Sequence, residues 1–187
     1  MSNMQLANHF LIAMPDMADP NFAETLTLIC EHNDDGALGF VINRPTDIPI
    51  QELFEQQGIE FDPQHNIGQE PIHFGGPVHA EQGFVLHSSE RTWDTTLSVS
   101  PDFKITASRD IISAVAKGEG PGKVIFLLGY AGWGPGQLEE EISANAWLTT
   151  EADPGIVFNT PVEQRWQAAA QRLGIDLNLI NTDAGHA

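Results

Sequence analysis

The sequence predicts an α+β fold, a mixed and mostly antiparallel sheet with several flanking helices in a single domain. Three observations predict it. Short apolar or alternating runs outnumber helical stretches and follow one another across Gly, Pro, Ser and Asp turns, the pattern of hairpin-connected strands. Two such runs flank an Asp-Gly turn at Asp35-Gly36, the strongest local hairpin signal in the chain. The length of 187 residues supports one full-sized core and falls short of what two domains need, so a domain over 1–187 is expected, with its core over about 6–175 and short flexible termini.

The elements follow in order. Phe10 to Met14, stopped by Pro15, reads as a buried strand. Thr25–Glu31 and Ala37–Asn43 are the arms of the hairpin around Asn33-Asp34-Asp35-Gly36. Asp47–Gln57 reads as a helix, with Ile50, Leu53 and Phe54 on one face and Gly58 as its stop. Short strands are expected at Ile72–Phe74, Gly83–His87, Leu97–Val99 and Lys104–Thr106. Ser108 or Asp110 caps a helix through Ala116, and the run to Leu128, apolar after Lys123, predicts a central strand buried on both faces. Gln137–Trp147 reads as helix, Ile156–Asn159 as a short strand, and Pro161–Leu173 as the last helix, with Pro at its first position and Gly174 at its end.

Composition narrows the function classes. There are 26 acidic against 8 basic side chains, a formal charge of −18, and no Lys or Arg precedes Arg44. Such a charge repels polyanions, so neither direct nucleic-acid binding nor an anionic membrane surface is expected. The single cysteine, Cys30, excludes an intrachain disulfide framework, and the apolar run at 9–14 is too short for a signal core or a membrane span. A cytoplasmic location is the expectation.

The familiar chemistries fit poorly. Gly129-Tyr130-Ala131-Gly132-Trp133-Gly134-Pro135-Gly136 follows a buried strand and opens a helix, the setting of a phosphate loop. Yet Pro135 stands where a phosphate-binding Lys belongs, and Glu139, Glu140 and Glu141 fill the first turn with carboxylates. Glycines placed for a tight turn and close packing are the better reading. The spacing of His73, His79 and His87 matches no zinc site, so neither a metal nor a cofactor is expected. No nucleophile elbow occurs, and Cys30 lies in a strand beside Glu31, whose charge opposes thiolate formation.

Several stretches together resemble the AlgH/YqgE family of bacterial proteins. They are Phe10-Leu11-Ile12-Ala13-Met14-Pro15, Ile29-Cys30-Glu31-His32-Asn33, Gly36 to Pro45, Phe74-Gly75-Gly76-Pro77-Val78, Gly83-Phe84-Val85-Leu86-His87, Leu128 to Trp133 with Gly136-Gln137-Leu138-Glu139, and Asn145-Ala146-Trp147-Leu148. Each is short, but their common order makes the match specific. The resemblance implies an α+β fold of the family's own type and a bacterial cytosolic setting. It carries no biochemical activity with it. One branch bears the label of a transcriptional regulator, which does not require contact with DNA.

The expected function is therefore a non-enzymatic binding or regulatory module acting through a protein partner or a small ligand. Its candidate binding site is Tyr130, Gly132, Trp133, Gln137 and Glu139, with Gly75, Gly76 and Pro77 as the opposite wall. Tyr130 and Trp133 offer apolar faces with a polar handle, and the alternative is that both rings seal the core. A hydrolase-like enzyme is the competing expectation, with Glu31, His32 and Arg44 as base, relay and anion clamp meeting across the hairpin, or an ordinary ion pair between Glu31 and Arg44 in their place.

Overall fold

In a computed structural model, residues 5–64, 66–88, 90–177 and 179 are described. The chain's ends, expected to be short flexible termini, lie outside them at 1–4 and 180–187. Strands β1 (His9–Ala13), β2 (Leu26–Asn33), β3 (Gly36–Val41) and β4 (Pro45–Pro49) lead into helix α1 (Ile50–Gln56). Strands β5 (Pro71–Phe74), β6 (Val78–His87), β7 (Thr96–Ser98) and β8 (Lys104–Thr106) precede α2 (Arg109–Ala116). Then come β9 (Val124–Trp133), α3 (Gln137–Ser143), β10 (Trp147–Glu151) and α4 (Arg165–Gln171).

The sheet runs β10-β1-β2-β3-β9-β6-β8-β7, with β4 on β5 and β5 on β9. All pairs are antiparallel except β5 with β9, so the mixed, mostly antiparallel α+β expectation holds. Strand β9 organises the whole. One edge pairs with β6 from Val124 to Tyr130; the other pairs with β5 at Leu127–Leu128 and then with β3 from Ala131 to Trp133. The partner changes at Gly129, whose φ of 74° makes a left-handed kink in the strand. That kink resets the period of two. Leu127 and Tyr130, three residues apart, both pack with the core that includes Phe40, Leu86 and Phe103.

Helices cover both faces. On the first, Ala169 and Ala170 of α4 close the core of Phe10, Leu28, Phe40 and Leu127. On the other, α1 and α2 pack Phe54 and Ile111 against Ile72, Val85 and Phe126. Beyond Gly129 the same face carries Trp133 and Trp147 against Leu11, Ile29 and Leu138 of α3.

Four local expectations are corrected. Residues 129–133 are strand, because glycines that looked like turn residues serve a close strand crossing. The helix from Gln137 stops at Ser143, where Asn145 at φ 64° turns the chain, and Trp147 opens β10 on β1. Gly155–Asn159 is a π-helical turn and no strand. Residues 47–49 belong to β4, held on β5 by the Pro49–Pro71 register, so α1 starts at Ile50.

Candidate functional site

The two glycine-bearing segments meet, and their meeting explains the glycines. Gly75 donates its N–H to the Leu128 carbonyl at 2.7 Å and accepts from Val41 at 2.8 Å, stitching β5 to β9 and β3. A Cβ on Gly76 would lie 2.1 Å from the Tyr130 carbonyl carbon, and one on Gly129 would lie 2.3 Å from the Gly76 oxygen. No side chain fits where two backbones cross this closely. Tyr130, half-buried, sits at this crossing edge-on to Phe84 and beside His79, with ring centroids 6.0 and 5.9 Å away. Pro77 and Gly132 are exposed here, the latter's Cβ position 3.7 Å from the Tyr130 ring.

Trp133, Gln137 and Glu139 lie on the opposite face. The alternation of β9 sends Trp133 into the core with Trp147, and only 6 % of it is exposed. Glu141 holds this corner together. Its Oε1 accepts from the indole N–H of both Trp133 and Trp147, at 3.0 and 2.9 Å, and its Oε2 accepts from the Gln137 amide at 2.8 Å. Gln137 in turn accepts from the Gly134 N–H at 2.9 Å. The eight residues of the expected site are thus divided by the sheet: Gly75, Gly76, Pro77, Tyr130 and Gly132 at the crossing, Trp133, Gln137 and Glu139 across the sheet from them.

His32 joins the second group. Its Nδ1 accepts from the Leu6 N–H at 3.0 Å, which places the proton of a neutral ring on Nε2, 3.3 Å from Glu139 Oε2. The His32 side chain is buried, while Glu139 is half-exposed and its other oxygen, Oε1, is buried with no partner.

The proposed trio of Glu31, His32 and Arg44 does not form. The β2–β3 register sets His32 opposite Ala37 and Thr27 opposite Val41, so His32 lies at the turn end of the hairpin and Arg44 beyond its open end. Arg44 instead donates to the carbonyls of Pro20 and Ala23, at 2.6 and 2.7 Å, tying down that loop. Glu31 faces solvent. Burial, and secondarily the Glu31 charge, push the Cys30 thiol far above its ordinary pKa, so it is no nucleophile.

A different place collects unsatisfied chemistry. Where β5 and β9 begin, a cavity of about 280 Å³ opens between Ile50, Ile67, Pro71 and Phe126 on one side and Phe158 and Arg165 on the other, with Glu70 and Lys123 also on its wall. His73 lines it, 8 % exposed, with no hydrogen-bond partner on either ring nitrogen. Burial first, and then the Arg165 charge, lower the His73 pKa to about 4; the nearby Pro71 carbonyl opposes the shift without completing a hydrogen bond. At neutral pH the ring is therefore uncharged, one nitrogen a donor and the other an acceptor. The Phe158 wall belongs to the π-helical turn, a rare geometry concentrated at functional sites. Two further cavities adjoin, one sharing Ile67, Gly122 and Val124, the other Lys123 and Phe158. His79 and His87, whose spacing from His73 matches no zinc site, are elsewhere. His87 is buried and bonded to Thr106 at 2.7 Å, and His79 is exposed.

Comparison with known proteins places the chain. The AlgH-like family model matches residues 10–178. The chain belongs to the AlgH-like family. A UPF0301 protein of Thioalkalivibrio sulfidiphilus is 53 % identical over 100 % of this chain and 99 % of its own. The solution structure of the AlgH protein from Pseudomonas aeruginosa is 49 % identical, with a TM-score of 0.80 over 100 % of this chain and 98 % of that one. A crystal structure of a Corynebacterium diphtheriae protein, 19 % identical, shares the fold alone, with a TM-score of 0.75 over 97 % of this chain and 94 % of its own.

Within this AlgH-like chain, the segments that carry the family resemblance include neither His73 nor Arg165. Two signals pointed to them all the same. A histidine sits between Ile72 and Phe74 in a strand, and an arginine opens the Ala-rich run Arg165-Trp166-Gln167-Ala168-Ala169-Ala170 in a chain with few cations. No described helix is long and apolar enough to cross a membrane.

Proposed function

We propose that this AlgH-like protein is a cytoplasmic, non-enzymatic module that binds a small ligand in the cavity beside His73 and passes that signal on through its surface. The observation that carries the reading is the His73 ring, buried with both nitrogens unpaired on a cavity wall. A buried polar group without partners costs free energy that folding alone does not recover, and a ligand that bonds it removes that cost. Two charged groups elsewhere are committed to the protein's own structure, Glu141 to two indoles and Arg44 to two carbonyls. Regulation in this reading does not run through DNA, because a net charge of −18 opposes a polyanion.

The test is amide NMR of the isotopically labelled protein against fractionated small molecules from bacterial cells. Shifts concentrated at residues 71–74, 123–126 and 158–165 are expected. Fractions that leave those residues unmoved, or that move only 130–139, would overturn the reading. A second reading, protein docking at the α3 corner, is favoured by one observation, the unpaired Oε1 of Glu139, which lacks a donor.

A further inference from the structure

The cavity has a second unbalanced group. Among the described residues, Arg165 is the only buried one with a permanent charge. Its Nε donates to the Thr160 carbonyl at 3.0 Å and its Nη1 to the Ile42 carbonyl at 2.5 Å, so neutral acceptors hold it and, among the described residues, no carboxylate does. A buried cation with no counter-ion is strongly disfavoured unless something negative arrives. Burial accordingly pulls its pKa down, opposed by Glu163, yet a guanidinium stays charged.

The wall is also biased in sign. Its charged lining residues are Arg165 and Lys123 against Glu70, with His73 neutral, one positive charge in excess, while Glu163, which acts on Arg165, is not part of the lining. Low-dielectric walls of one sign concentrate the opposite sign from solution. The rest of the lining is apolar, chiefly Ile50, Ile67, Phe126 and Phe158.

Building on the ligand-binding reading above, we infer that the cavity takes a small organic monocarboxylate, its carboxylate on Arg165 and its compact apolar body against Phe126 and Phe158. With Nε and one Nη1 N–H bonded to carbonyls, the guanidinium keeps Nη2 and the second Nη1 N–H for a carboxylate. One negative charge neutralises the wall; a second would be left unmatched. The His73 N–H adds a neutral donor to the same group. The volume of about 280 Å³ lies near the lower bound of roughly 300 Å³ for small-molecule sites, which favours a compact body over an extended one. Inorganic phosphate, with higher charge and no apolar part, fits the wall less well.

The experiment titrates the full chain with benzoate, 3-methylbutanoate, benzamide and inorganic phosphate while following the His73 ring and the amides of 123–126. Saturable shifts with the two carboxylates and none with benzamide or phosphate are expected. Lys123→Gln should weaken carboxylate binding about threefold at low salt, the effect of losing one nearby solvent-exposed charge. Lys123 is exposed, so this variant keeps the fold even if Arg165→Gln, which also loses two carbonyl bonds, does not. Equal binding of benzamide and benzoate at these residues would overturn the carboxylate inference and leave the ligand-binding reading standing. Phosphate acting alone, or Lys123→Gln without effect on affinity, would also overturn the inference. Silence with all four compounds sinks it too, and the ligand-binding reading falls with it only if the cell fractions are silent as well.

Discussion

The α3 corner and the β5–β9 cavity hold similar residue types in opposite states. At the corner every indole N–H, the Gln137 amide and both Glu141 oxygens are bonded to one another, and His32 spends both ring nitrogens, on Leu6 and on Glu139. At the cavity, His73 spends neither nitrogen and Arg165 has no anion. A closed polar network specifies structure, whereas an open one in a concave site marks where something binds. The comparison teaches that polar residues beside aromatics are weak evidence of a site until their partners are counted.

The largest expected effect breaks the frame both regions share. Gly76→Val places a branched side chain where a single Cβ would already lie 2.1 Å from the Tyr130 backbone. Neither backbone can yield without parting β6 from β9, so the loss should exceed about 3 kcal/mol, beyond the usual overpacking range. Urea denaturation checks this, and a stable Gly76→Val protein would show that the crossing tolerates rearrangement.

Glu141→Leu attacks the closed network. It leaves the indole N–H groups of two buried tryptophans without their acceptor, at about 1–3 kcal/mol each. A total near 3 kcal/mol is expected in urea melts, with a red shift of tryptophan emission as water reaches the corner. A loss below about 1 kcal/mol, the lower limit for one orphaned donor, would deny that the network is structural.

His73 sharpens the other side. Its pKa is lowered from 6.5 to about 4, so between those values the unfolded chain takes up a proton that the folded one refuses. Stability from this group is therefore complete above pH 6.5 and is lost as pH falls toward 4, by about 3 kcal/mol at 1.36 kcal/mol per pH unit. The charged groups sharing its cavity are Arg165, Lys123 and Glu70. His73→Leu should flatten the pH dependence of urea midpoints in that window. Some slope should survive, because burial lowers the pKa of His87 in the same direction. An unchanged slope in the variant would mean that His73 is not held neutral.

How much of this was legible follows from the range of the interactions. The hairpin of β2 and β3 could be read because an Asp-Gly turn and two β-rich runs are local signals. The length of β9 could not, because Gly129 resembles turn chemistry until the backbones of Gly76 and Val78 are seen to lie against it. Asn145 did carry a stop for α3, a residue suited to a left-handed position, but the apolar period running on to Trp147 concealed it. Tyr130 and Trp133 were assigned to one site when a strand's alternation divides them. His73 and Arg165 meet only through tertiary packing, so no spacing rule brings them together.

The smallest expected effect tests the one unfinished bond at the corner. Glu139 faces His32 at 3.3 Å with one oxygen and nothing with the other, and it is 37 % exposed, so its pairing is screened by water. Glu139→Gln keeps a carbonyl oxygen to accept from His32 Nε2 and puts an NH₂ where no acceptor waits. The change in stability at pH 7 should stay within about 1 kcal/mol, well below that of Glu141→Leu on the same helix. A large loss would make Glu139 as structural as Glu141. A gain would be more informative. It would mean that the native carboxylate is held there at a cost to folding, the signature of a group kept for a partner's donor, and the corner would then stand beside the cavity as a second place of binding.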